Sequence, residues 1–285
     1  MRSPTPPILT SVANPRVKAA ATLRDRRARD QTGLTIVDGS REIRRALEAG
    51  AEVVEAFGCD PLLAGPDARA ALNLLRDSGV TVQPTSEPVF AKLAFGERAE
   101  GLVAIIRIPS MALADLVLPD HPLVAVIEAV EKPGNLGAVL RSADGAGADA
   151  VIAASPRTDL FNPNAIRASA GTIFSIPLGA APAVESLDWL RTHGLRIVAA
   201  RVDAGRLYTE VDLTGPLALV LGAEAEGLTD IWSADDIVAV RLPMLGIADS
   251  LNVSVSAAIL LYEARRQRGL TALIRKESTW TATTS

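Results

Sequence analysis

At 285 residues, with 48% hydrophobic and 22% charged residues, the chain reads as globular, with material for a sizeable core and a length that suggests two domains. A net charge of -4 argues against a surface that binds polyanions wholesale, one cysteine (Cys59) excludes an internal disulfide, and two histidines (His121, His193) offer no metal-ligand cluster of recognisable spacing. The opening MRSPTPPILTSVANPR has no apolar run of signal-peptide length, and the longest uncharged stretch, residues 168–184, is broken by Gly and Pro and falls short of the ~20 residues of a membrane span, so a reducing cytoplasm is expected.

Taken in chain order, NPRVKAAATLRDRRARD predicts a helix, LTIVDG a strand, REIRRALEAG a helix ending at Gly50, and VVEAFGC a strand. PDARAALNLLRDSG is helical, VTVQPT extended, SEPVFAKLAF helical, and LVAIIRIP closes the unit near Pro109. This is a small α/β layer structure. Residues 1–50 carry ten basic side chains against five acidic ones. Such a segment on an acidic chain suits either phosphate contact, through Arg24, Arg26, Arg27 and Arg29, or an ordinary solvated helix face.

The Pro-punctuated SMALADLVLPDHP places a boundary near residue 112. LVAVIEAV then begins a second α/β domain with a run suited to a strand buried on both faces of a parallel sheet. AVIAAS, RIVAAR, LALVLGA and IVAVRLP are further strands, with helices at LGAVLRSADGAG, NPNAIRASAGTIF and ESLDWLRTH. SLNVSVSAAILLYEARRQR starts with strand-like alternation at Val253 and Val255 and ends as a helix, and residues 271–285 form a polar tail expected to be flexible.

Four stretches carry chemistry. In EAVEKPGNLGAVLRSADGAGA a strand passes through Pro133, Gly134, Asn135 and Gly137 into a helix, with Asn135 expected as the cap and Arg141 one turn after Gly137. The G-x-G-x-x-G and P-loop spacings are absent. Arg167 sits among small residues in NPNAIRASAGTIF, where a surface arginine without a role is the alternative. In LALVLGAEAEGLTDIW a buried strand breaks at Gly222, and Glu224 or Glu226 is then either a functional group at a strand's carboxyl end or a loop charge. LPMLGIADSLN ends a strand and presents Ser250 and Asn252 at a helix start, where capping alone explains both. Three strand ends built with polar groups and little bulk suit one pocket for a nucleoside-like ligand.

In this order the stretches resemble the SpoU branch of the SPOUT superfamily, the TrmH-like RNA 2'-O-ribose methyltransferases. GNLGAVLRSADGAG is similar to the family's first motif, LVLGAEAEGL to its second and LPMLGIADSLNVSVSAAILLYE to its third, and with IRASAGTIF they cover most of residues 123–268. The resemblance implies a mostly parallel α/β domain, residues 113–270, with a carboxyl-terminal trefoil knot, an exception to unknotted topology. It further implies S-adenosylmethionine held by Gly222, Leu242 and Leu251, a catalytic set of Asn135, Arg141, Glu224, Ser250 and Asn252 with Arg167 and Ser254 as neighbours, no metal, and a homodimer. LTSVANPRVK resembles the start of the ribosomal-protein-like α/β domain that precedes the catalytic domain in several ribosomal RNA methyltransferases, making residues 1–112 the RNA-binding domain and 23S ribosomal RNA the expected substrate, with no role for DNA or membrane. Ala223 stands where some members carry Asn, which weighs against the closest tRNA-modifying relatives. A tRNA methyltransferase, a non-catalytic RNA-binding module and a nucleotide-dependent oxidoreductase are the alternatives, the last disfavoured by the missing glycine fingerprint.

Overall fold

The computed structural model describes residues 6–95, 100–223 and 226–269. Within them the chain forms two compact units: residues 1–110 with 132–141 and 158–175, and the remainder.

The first unit opens with α1 (Pro15–Thr22) and α2 (Arg26–Thr32), continues with β1 (Leu34–Asp38), α3 (Ser40–Glu48), β2 (Val53–Gly58), α4 (Gly65–Asp77), β3 (Val82–Pro84) and α5 (Glu87–Leu93), and reaches β4 (Leu102–Arg107). Asn14 caps α1, its side chain accepting the Arg16 N–H at 2.9 Å just ahead of Pro15 at the first helical position. The expected single helix over residues 14–30 is in fact two, because the chain turns at Leu23–Asp25 so that Leu23 enters the core with Val17, Ala20, Phe57 and Phe90. The sheet order is β1-β4-β2-β3, antiparallel except for the β2/β3 pair.

Residues 158–175 pack into this unit through buried polar contacts. The Arg29 guanidinium, 1% exposed, meets the Asp159 carboxylate, and the Thr35 hydroxyl donates to the Phe161 carbonyl at 2.9 Å. The segment contains α7 (Pro163–Ala168), capped by Asn162. The helix expected to run to Phe174 stops early, because Ala170 (φ 54°) and Gly171 (φ 85°) take left-handed conformations before a short 3-10 turn.

The second unit is built on an all-parallel seven-stranded sheet of order β7-β6-β5-β10-β8-β11-β9. Its strands are β5 (Leu123–Glu128), β6 (Ala150–Ala154), β7 (Leu178–Ala181), β8 (Arg196–Ala200), β9 (Arg206–Leu207), β10 (Leu217–Leu221) and β11 (Ile237–Arg241). Central β5, β6 and β10 are buried along their whole length, as continuous apolar runs require of strands covered on both faces. The short edge strands β7 and β9 had no sequence signature, since two to four residues of mixed character do not establish a period. The helices α6 (Pro133–Ala146), α8 (Ala183–Thr192) and α9 (Val253–Gln267) complete the chain. The strand-like start of SLNVSVS is helical from Val253, and Arg265 near the end of α9 donates to the Ala146 carbonyl at 2.7 Å.

Candidate functional site

The carboxyl ends of β8, β10 and β11 open onto a cavity of about 740 Å³, within the range of small-molecule sites. Gly222, Leu242, Ser250 and Leu251 line it together, with Leu221, Met244 and Val253 supplying apolar surface. Gly222 is there because nothing larger fits: a Cβ at this position would overlap the Gly227 carbonyl group and lie 2.5 Å from the Leu228 nitrogen. The loop after β10 therefore folds back on its own start, where the Gly227 N–H donates to the Ala223 carbonyl at 3.0 Å.

Two acidic side chains tie the far end of that loop. Glu128, at the carboxyl end of β5 and 1% exposed, accepts the Thr229 N–H at 2.8 Å and the Thr229 hydroxyl at 2.6 Å. Both carboxylate oxygens are satisfied by one residue, as a buried polar group requires. Glu226 receives Arg157 at 2.7 Å, and Arg157 also donates to Glu131 at 2.8 Å. Hydrogen bonding to Glu226 and then Glu131 makes the Arg157 guanidinium hold its proton more tightly than usual, and Arg157 in turn holds the Glu226 carboxyl below the usual carboxylate range. Glu128 and Thr229 were not foreseen, because their meeting depends on strand order rather than on local pattern.

The other expected site residues fall as follows. Asn252 caps α9, its Oδ1 accepting the Ser254 N–H at 2.9 Å and hydroxyl at 2.6 Å; neither residue lines the cavity. Glu224 lies outside the described residues. Asn135 and Arg141 are on α6, in the part assigned to the first unit. Asn135 is not the cap: α6 begins at Pro133, whose missing N–H suits the first helical position, and the Lys132 carbonyl accepts the Asn135 and Leu136 N–H groups. Gly137 admits the backbone of α7, since a Cβ there would come within 2.5 to 2.7 Å of Ala168, Ala165 and Ser169. Arg141 is exposed, with no hydrogen-bonding or ionic partner among the described residues.

The basic set needs correction. Arg29 is buried and bonded to Asp159 and to the Leu23 and Arg24 carbonyls, so its guanidinium is turned inward and out of reach of a phosphate. Arg24 closes the end of α5, one nitrogen donating to the carbonyls of Lys92, Leu93 and Ala94 at 2.6 to 2.8 Å. Arg26 and Arg27 are exposed, Arg26 in a loose 3.5 Å pair with Asp30. Arg167 stacks on the Phe95 ring and pairs with Asp38 at 3.0 Å.

Asp38 is nearly fully buried, with one carboxylate oxygen unbonded among the described residues. Burial pushes its pKa from 3.8 to about 6, against the lowering influence of the Phe95 N–H and Arg167. The folded state thus keeps this proton where the unfolded chain has lost it, and stability falls as pH rises from about 4 to 6, by about 3 kcal/mol. Unfolding free energies between pH 4 and 8 should lose that increment in Asp38→Asn; parallel curves for the two proteins would refute the assignment.

Comparison with known proteins adds to this geometry. The model of the SpoU rRNA Methylase family matches residues 122–262, and that of an MRM3-like substrate binding domain matches residues 14–104. A 23S rRNA (uridine(2479)-2'-O)-methyltransferase from Streptomyces viridochromogenes is 31% identical over 257 residues, covering 87% of this chain and 88% of that protein. A crystal structure of an RNA 2'-O ribose methyltransferase is 44% identical at a TM-score of 0.80, covering 92% of this chain and 99% of the other. An AdoMet-bound rRNA methyltransferase from Sinorhizobium meliloti is 28% identical at a TM-score of 0.82, covering 91% and 97%.

Proposed function

The chain belongs to the SpoU rRNA methylase family, and on that premise we propose that it methylates a ribose 2'-hydroxyl of 23S ribosomal RNA, with S-adenosylmethionine as donor. The observation that carries the reading is the meeting of Gly222, Leu242 and Leu251 at one cavity at the carboxyl ends of parallel strands. The cavity's size, its apolar patch of Leu221, Met244 and Val253 and its close-packed glycine backbone fit a nucleoside.

When bound, the donor supplies a methyl group already activated on a sulfonium. What remains for the protein is positioning and charge. In this reading Gly222 and the Leu242 and Leu251 backbones hold the adenosine, while Ser250, Asn252, Asn135 and Glu224 orient the ribose. Arg141 acts as an electrostatic clamp on the developing alkoxide and a neighbouring phosphate, because a guanidinium does not give up its proton to serve as a base. Requirement for a 2'-hydroxyl makes RNA the substrate and excludes DNA. The proposal extends to residues 1–112 as the RNA-binding domain, residues 113–270 as the methyltransferase domain with a trefoil knot, a homodimer, and a cytoplasmic location. Among the described residues no helix is long and apolar enough to cross a membrane, and no group of three or more His, Cys, Asp or Glu could hold a metal ion.

Incubation with methyl-labelled S-adenosylmethionine should label ribosomal RNA at a ribose 2'-oxygen. Label in transfer RNA alone, or none, would overturn the substrate or the activity respectively. In the same assay Arg26→Ala with Arg27→Ala should raise KM for RNA and flatten its salt dependence by about two phosphate contacts. An unchanged salt slope removes α2 from the RNA surface.

A further inference from the structure

The cavity is lined by five charged side chains: Arg201, Asp203, Glu226, Arg241 and Asp249. Three of them are already neutralised. Arg201 and Asp203 form a two-pronged pair at 3.0 and 3.1 Å, and Glu226 is taken by Arg157. Arg241 and Asp249 have no partner among the described residues. They are of opposite sign, Arg241 the last residue of β11 and Asp249 within the connection that carries Leu242 and Leu251 to α9. Arg241 is also partly buried, so part of its hydration is gone with no carboxylate or carbonyl among the described residues to replace it.

A cavity that leaves one cation and one anion unmatched suits a zwitterion. We propose that Arg241 binds the α-carboxylate, and Asp249 the α-ammonium, of the amino-acid end of the methyl donor. This rests on the reading of the cavity as the donor site and goes beyond it, since the residues expected there, Gly222, Leu242 and Leu251, offer that end no charge. A guanidinium fork matches a carboxylate with two parallel hydrogen bonds, and an exposed Asp suits an ammonium that need not be desolvated. Neither group is needed for the sulfonium, whose methyl must stay electrophilic.

The test is calorimetric binding of three ligands to the full chain: S-adenosylmethionine, its decarboxylated form, and 5'-methylthioadenosine, which lacks the whole amino-acid end. The unsubstituted protein should prefer S-adenosylmethionine to the decarboxylated form by roughly tenfold or more, the size of one charge-assisted contact. Arg241→Ala should abolish that preference while leaving 5'-methylthioadenosine binding within about twofold, which also reports that the fold is intact. Asp249→Asn should weaken both amine-bearing ligands and spare 5'-methylthioadenosine. Equal weakening of all three ligands by Arg241→Ala would make Arg241 structural. Unchanged donor binding with a raised KM for RNA would make it a phosphate contact. Either result overturns the proposal. If the unsubstituted protein binds none of the three, the donor-site reading fails and the proposal with it.

Discussion

Arg141→Ala is expected to lower kcat for ribose methylation by roughly a thousandfold while donor affinity stays within about twofold, the pattern of a group that acts on charge formed in the transition state. The grounds are positional and chemical. Arg141 is exposed on α6 with no carboxylate or carbonyl engaging it among the described residues, in contrast to Arg24, Arg29 and Arg167, each held by protein acceptors. A permanently charged guanidinium without an internal partner is free to meet a phosphate and the oxygen that becomes an alkoxide. Arg141→Lys keeps the charge but loses the planar fork and should recover only part of the rate. Single-turnover methyl transfer and calorimetry on the same preparations check both halves. Parallel loss of rate and donor affinity would place Arg141 in the donor site and sink the clamp.

The second large effect is expected at Gly222. One added methyl group would collide with the backbone of Gly227 and Leu228, so Gly222→Ala must push the returning loop outward or distort the end of β10. Backbone cannot give way as a flexible side-chain end can. Overpacking of this kind typically costs about 1–3 kcal/mol, and here that cost falls on the wall of the cavity, so donor affinity should drop about 10- to 100-fold. The loop's far anchor, Glu128 with Thr229, should hold the remaining residues near their places, and circular dichroism should stay unchanged. Donor affinity equal to that of the unsubstituted protein would show that the close approach at Gly222 has no bearing on the site.

The sequence by itself determined most of the second unit's framework. Apolar runs such as LVAVIEAV and LALVL announce strands buried on both faces, because only a parallel sheet covered by helices removes every side chain of a strand from water. It also singled out Gly222 and Ser250, since a strand breaking into a polar, unbulky turn is a local property, whereas Leu242 and Leu251 were implied only by the resemblance to the family. Asn252 as a helix cap was legible for the same reason.

Tertiary structure decided the rest. No local pattern distinguishes an arginine that reaches solvent from one that folds back: Arg26 and Arg27 point outward, while Arg24 and Arg29, a few residues away, serve the carbonyls of α5 and the carboxylate of Asp159. The Glu128–Thr229 pair joins residues 101 positions apart, and the inclusion of residues 158–175 in the first unit likewise depends on partners distant in the chain. Periodicity reports which face of an element avoids water. Which charged groups neutralise one another, and which are left for a ligand, follows only once the strand order has brought their elements together.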